Sequence, residues 1–152
     1  MRVLVVDDSR SVLVFIEHSL ICLDGVTVDL FSDANAALEA AAGAQFDMVI
    51  VDFMMPAMNG LEFLRRLRAG GAYAAIPAIM VTAERDEGVR LDAIRAGATD
   101  FLNKPFDPVE LQARVRNLLA LRQAQVDLAA HAEGLERAIA RATDDLLRRE
   151  EE

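Results

Sequence analysis

The sequence predicts an α/β domain, a doubly wound five-stranded parallel sheet, continued by an extended C-terminal coiled-coil helix. Short apolar runs at residues 2–6, 26–31, 47–51, 78–81 and 100–102 are each followed by a longer stretch with helical spacing, so strand and helix alternate. Several of these runs are apolar on both faces, as expected of parallel strands covered by helices on each side. After Leu121 the chain continues with no proline and a single glycine, Gly134, which predicts the helical extension.

RVLVV forms the first strand and delivers Asp7 and Asp8 to its end. From Ser9 to Cys22 apolar residues fall at 12, 13, 16 and 20, the stripe of a helix that covers the sheet. VTVDLF is the second strand, and the alanine-rich stretch from Ala34 to Ala42 the second helix. DMVIV, the third strand, ends on Asp52. Asn59 and Gly60 turn the chain into a helix striped by Leu61, Phe63, Leu64 and Leu67, which Gly70 and Gly71 terminate. AIMV ends at Thr82, and the helix expected from Glu84 to Ala96 stops at Gly97. DFL, the fifth strand, lies just before Lys104, and one last helix is expected over about 108–149.

A chain of 152 residues, 53% hydrophobic, is enough for one well-buried core and an appendage, here a domain over 1–122 and a helical linker over 123–152. A net charge of -9 disfavours attraction to phosphate backbones and to anionic lipid, so neither direct nucleic-acid binding nor a membrane role is expected. No apolar run approaches the roughly 18 residues of a spanning helix, and MRVLVVDD turns acidic too early for a secretory signal. Cys22 has no second thiol to pair with, which excludes a disulfide within the chain and points to the cytoplasm.

Parallel strands bring their carboxyl ends to one edge, so Asp7, Asp8, Asp52, Thr82 and Lys104 converge there. A single aspartate after a strand is more often a turn former or helix cap than a ligand, but three at one edge repel one another unless a divalent cation neutralises them. An all-oxygen donor set suits a hard ion such as Mg2+, with a hydroxyl and an ammonium opposite to cradle a phosphoryl group.

VVDD, VDFMMPAMNG, VTA and FLNKP, in this order and spacing, resemble the receiver domain of two-component response regulators over about residues 1–122. The resemblance implies a flavodoxin-like sheet of order 2-1-3-4-5. It implies that Asp52 is the phosphoacceptor, that Asp8, Asp7 through water, Asp52 and the Met54 backbone carbonyl hold Mg2+, and that Thr82 and Lys104 contact the phosphoryl oxygens. Phe101 stands at the family's switch position, where it can pack but not hydrogen-bond. Lys104-Pro105 would be cis, Ala83 would keep the pocket open, and Met54 and Glu84 stand where the family tunes the lifetime of the phosphate. The partner implied is a sensor histidine kinase, and the chemistry is confined to the domain's own phosphorylation and dephosphorylation. Two alternatives use similar residues: a phosphatase of the haloacid dehalogenase type, whose DxDx[TV] motif is absent from DDSRS, and a dimerisation module with an inactive pocket.

Elsewhere the residues read as structural. His18 is a partly exposed helix residue, His131 sits in an incomplete phosphoacceptor-like helix, and Arg65, Arg66 and Arg68 form a solvated face. Met54, Met55 and Met58 fill apolar space near the site. In the tail, positions 118, 125, 132, 139 and 146 are Leu, Gln, Ala, Ile and Leu, while 121, 128, 135 and 142 are Leu, Leu, Leu and Ala. This a/d pattern predicts a parallel homodimer whose seam includes Leu118, Leu121, Leu128, Leu135, Ile139 and Leu146, with Gln125 as a polar interruption. The tail resembles linkers that precede an HD-GYP cyclic-dinucleotide phosphodiesterase or another output domain, and such a module is expected beyond Glu152.

Overall fold

The computed structural model describes residues 1–83 and 87–151. Strands β1 (Arg2–Val6), β2 (Thr27–Phe31), β3 (Met48–Asp52), β4 (Ala78–Thr82) and β5 (Asp100–Asn103) form one parallel sheet of order β2-β1-β3-β4-β5. Between them run α1 (Arg10–Leu20), α2 (Ala34–Ala42), α3 (Gly60–Ala69) and α4 (Glu87–Arg95), and α5 (Pro108–Glu151) closes the described chain. The expected start of the fourth helix at Glu84 lies outside the described residues.

The sheet divides its side chains between two cores, which is why its strands read as continuous apolar runs. Leu4, Val6, Val49, Val51 and Met80 pack on the face that also gathers residues of α2 and α3. Val3, Val5, Ile50, Ile79 and Val81 pack on the other face with Leu13 and Ile16 of α1 and Leu111 and Val115 of α5. β3 and β4 run one residue beyond their apolar stretches, because Asp52 and Thr82 still take part in the ladder, opposite Val81 and Asn103. The ladder thereby sets two polar side chains on the rigid end of the sheet.

Capping holds the helices that face the site. Asp33 accepts from the N–H groups of Asn35 and Ala36 at the start of α2, and Asn59 from that of Glu62 at the start of α3. Gly60 does more than turn the chain. A Cβ there would collide with the Asp52 carbonyl oxygen and lie 2.8 Å from Met80 Sδ, so only glycine lets α3 begin against the end of β3.

Arg68 departs from the solvated face expected of it. Its guanidinium donates to the carbonyls of Tyr73 (2.8 Å), Ile76 (2.7 Å) and Gly97 (2.6 Å), tying the α3–β4 connection to the turn after α4. Burial without a carboxylate partner lowers its pKa. Arg65 stays exposed, and Arg66 pairs with Glu62 on the surface.

α5 has two halves. Leu111, Val115 and Leu118 are buried, and the docked stretch continues where Arg122 pairs with Asp47 (3.3 Å) and Gln125 donates to the Ala75 carbonyl (2.9 Å). Leu118, expected in a dimer seam, is thus only 8% exposed and belongs to the domain's own core. Gln125 is likewise a contact with the domain rather than an interruption in a seam. Beyond it Leu128, Leu135, Ile139 and Leu146 are 52–69% exposed, and Leu121 is 43% exposed. Among the described residues no helix is long and apolar enough to cross a membrane.

Candidate functional site

Three carboxylates meet where β1 and β3 end. Asp7, Asp8 and Asp52 each offer an oxygen, and the three atoms lie within 4.8 Å of one another. Adjacent parallel strands account for this: Val6 lies beside Val51, so the next residues of each strand emerge side by side. Asp7 and Asp52 are buried, while Asp8 is exposed. Lys104, just past β5, reaches back across β4 to place Nζ 3.2 Å from Asp7 Oδ2 and 3.3 Å from Asp52 Oδ1.

Backbone hydrogen bonds fix these positions. The N–H of Ser9 donates to Asp7 Oδ1 (2.8 Å), that of Lys104 to the Thr82 carbonyl (2.8 Å), and that of Phe53 to the Val81 carbonyl (2.8 Å). Thr82 is buried at the end of β4, between the strands that carry Asp52 and Lys104. The five residues read from the sequence therefore share one edge. Lys104-Pro105 is cis.

Burial raises the pKa of Asp52, and the charge of Asp7 raises it further; Lys104 and the Met54 N–H pull it down without cancelling the rise. Burial likewise raises that of Asp7, against the Ser9 N–H and Lys104. Desolvation works to lower the pKa of Lys104, but the attraction of Asp7 and Asp52 prevails and leaves it raised. Three carboxylates against one ammonium leave the pocket electronegative, and all its donors are hard oxygens. That donor set fits Mg2+ better than a soft metal.

Around this centre Met58 is buried in the core and Met55 is partly buried against it, so these two fill apolar space as expected, whereas Met54 is 61% exposed. Phe101 is half-buried against the α2/α3 core, with the Arg90 guanidinium 5.4 Å from its ring centroid. Nothing local in the sequence marks Arg90, whose pairing depends on how α4 lies over β5. Glu84 lies outside the described residues. His18 and His131 are exposed, and Cys22 is a free, exposed thiol.

A 2-1-3-4-5 parallel sheet with an acidic pocket at its carboxyl edge defines a class of phosphorylation-switch domain. The family model of the response regulator receiver domain matches residues 3–116, and the chain belongs to that family. It is 35% identical over 156 aligned positions to the cyclic di-GMP phosphodiesterase response regulator RpfG of Xanthomonas campestris pv. campestris, an alignment that takes in all of this chain and 40% of that protein. Response regulator MprA of Mycobacterium ulcerans is 41% identical over 129 residues, 85% of this chain and 54% of that protein. The chain thus spans about half the length, or less, of these relatives.

Among solved structures, the chemotaxis protein CheY4 of Vibrio cholerae superposes with a TM-score of 0.73 at 35% identity, over 77% of this chain and 97% of that one. The receiver domain of a Pseudomonas aeruginosa sensor histidine kinase, solved with magnesium in its active-site cleft, gives 0.71 at 30% identity, over 78% and 97%. The chain is therefore the receiver of a two-component signalling switch. Receiver domains bind Mg2+ in an acidic pocket and are phosphorylated by sensor histidine kinases. Family membership sets aside the dehalogenase-type phosphatase.

Proposed function

We propose that Asp52 is the phosphoacceptor of this receiver. The observation that carries the proposal is the gathering of Asp7, Asp8 and Asp52 within 4.8 Å, with Lys104 Nζ 3.3 Å from Asp52. Asp7, Asp8, Asp52 and the Met54 carbonyl would hold Mg2+, which when bound supplies positive charge to the phosphoryl oxygens. A carboxylate oxygen of Asp52 attacks the phosphorus of a phosphohistidine. The new O–P bond forms as the P–N bond breaks, leaving an aspartyl phosphate and a free imidazole on the kinase. Lys104 offsets charge that builds on the transferring group, and the Thr82 hydroxyl donates to one of its oxygens.

The product adds roughly -1.5 to -2 of charge at the pocket. Thr82 moves toward it, and Phe101 repacks into the space released on the β4–β5 side. That movement is the signal. The far half of α5 carries it onward by pairing two copies of the chain, toward an output module. The alignment with RpfG, a cyclic di-GMP phosphodiesterase response regulator by name, takes in all of this chain and 40% of that protein, and supports an output of that kind.

Incubation with a small acyl phosphate and magnesium, followed by intact-mass measurement, tests the assignment. One phosphoryl adduct is expected on the parent chain and none on Asp52→Asn. Equal labelling of both would place the nucleophile elsewhere.

A further inference from the structure

The amino ends of β3 and β4 lie opposite the edge that carries Asp52, and a cavity of about 380 Å³ opens beside them where α2, α3 and α5 meet. Its volume falls at the lower end of the roughly 300–1,000 Å³ typical of small-molecule sites. Much of its wall is apolar: Leu38 comes from α2, Leu67 from α3, and Phe46 and Tyr73 from the connections that precede β3 and β4. The Tyr73 hydroxyl is already engaged with the carbonyls of Ala41 (2.7 Å) and Ala44 (2.6 Å).

Two arginines complete the lining, Arg66 from α3 and Arg122 from α5. Each bonds to a carboxylate through Nε alone, Arg66 to Glu62 (2.9 Å) and Arg122 to Asp47 (3.3 Å). Among the described residues the terminal nitrogens of both guanidiniums have no hydrogen-bond partner, although the Arg122 side chain is only 21% exposed. A half-buried guanidinium with a free fork can meet a carboxylate with two parallel N–H bonds. Over most of a surface of net charge -9 an anion is disfavoured, so paired arginines beside an apolar cavity set this place apart.

We propose that this cavity binds a small organic anion with a flat apolar body, of the aromatic carboxylate class. The body lies among Leu38, Phe46, Leu67 and Tyr73, where two aromatic walls favour a ring over a chain. The carboxylate meets Arg122, and Arg66 adds a second cation. Arg122 stands one turn beyond the buried Leu118, where α5 is leaving the body. A ligand held there touches both the body and the helix, so its binding tightens the receiver's hold on the start of the extension. The site is independent of Asp52, which lies at the other edge.

Titration of the intact chain with cinnamate, followed by amide chemical shifts, tests this. Cinnamyl alcohol serves as the neutral counterpart and acetate as the anion without a body. Saturable shifts are expected at residues 38–46, 66–73 and around 122, with a Kd of about 1 mM or tighter. The alcohol and acetate should each bind about tenfold more weakly, and Arg122→Met should weaken cinnamate by a similar factor. Arg122→Met also breaks the tie to Asp47, so Asp47→Asn is the control: it loses the ion pair but keeps the arginine, and should bind at least as well as the parent. Equal binding of cinnamate and its alcohol, or a loss in Asp47→Asn that matches Arg122→Met, overturns recognition by the arginines. Shifts centred on Asp52, or none that saturate by about 10 mM, overturn the site.

Discussion

The receiver body and the far half of α5 are made of the same kinds of residue and hold their shape by opposite means. In β3 and β4 every residue is buried, and each strand contributes side chains to cores on both faces of the sheet. Beyond Val126 every described residue of α5 is exposed. Ion pairs there, Arg137 with Glu133 and Arg148 with Asp144, are i,i+4 contacts in water, a type that adds little. A lone helix is marginal in water, because each turn gains one layer of hydrogen bonds and little burial. The body is thus specified by contacts distant in sequence, while the extension depends on propensity and on what comes to lie against it.

The largest effect that would sharpen this contrast is a pair of truncations. Phe63 is fully buried, and Phe63→Ala should cost about 3–5 kcal/mol by lost burial and a residual cavity. Leu128→Ala, at 69% exposure, should change the stability of the dilute monomer by no more than about 0.5 kcal/mol. Urea denaturation at low and high protein concentration separates the two. A loss at Leu128 that matches Phe63 even in dilute solution would mean that the extension packs on its own receiver.

Next in size is Gly60→Ala, which should cost about 1–3 kcal/mol because the new methyl must displace the backbone at the end of β3. The damage falls on Asp52's own carbonyl, so labelling by acyl phosphate should slow as well as stability fall. Gly134→Ala is the control in the other half. No neighbour lies within 4 Å of a Cβ built there, so alanine should instead stabilise the helix by up to about 1 kcal/mol.

These positions also show what was legible in the sequence. Asp7, Asp8, Asp52, Thr82 and Lys104 could be read because each ends an apolar run, and parallel strands bring run ends together. The strand order came instead from the resemblance of VVDD, VDFMMPAMNG, VTA and FLNKP to receiver domains, and the single long helix from a tail without proline. Leu118 was misplaced because a heptad and the core-facing stripe of a receiver helix share their spacing, and only the packing of α1 against α5 tells them apart. Arg68 was misplaced because its acceptors, the carbonyls of Tyr73, Ile76 and Gly97, lie on loops whose approach no local pattern encodes. Gly60 was read as a turn, although its need for a bare Cα comes from Asp52 and Met80.

A smaller, pH-dependent effect belongs to the body alone. Asp7 and Asp52 have raised pKa values, so the folded state binds protons more readily than the unfolded chain. Their contribution to stability is full below the ordinary carboxylate value and is lost as pH rises through the raised folded values. At neutral pH the metal-free pocket therefore carries an electrostatic cost that magnesium offsets. The rise in Tm on adding magnesium should be greatest near neutrality and shrink on acidification, beginning above the ordinary carboxylate range, because protons and metal compete for the same oxygens. Asp8→Ala should abolish most of the rise. A shift that is independent of pH, or intact in Asp8→Ala, would place the metal elsewhere.

The smallest effect tests whether the loop after β3 carries strain of its own. Ala57 is the one described non-glycine residue with positive φ, at 67°, in the Met-Met-Pro-Ala-Met segment between Asp52 and α3. An L-residue in that region costs roughly 1–2 kcal/mol through the approach of Cβ to the following carbonyl oxygen. Replacing it with glycine removes the clash but adds about 0.5–1 kcal/mol of conformational freedom to the unfolded chain. The difference predicts that Ala57→Gly stabilises the protein by about 0.5–1 kcal/mol, read as a higher urea midpoint at unchanged m-value. A lower midpoint would show that the alanine methyl contributes packing worth more than its strain. Since Met58 next to it is buried in the core, that result would extend the body's tightly packed region out into the loop that frames Asp52.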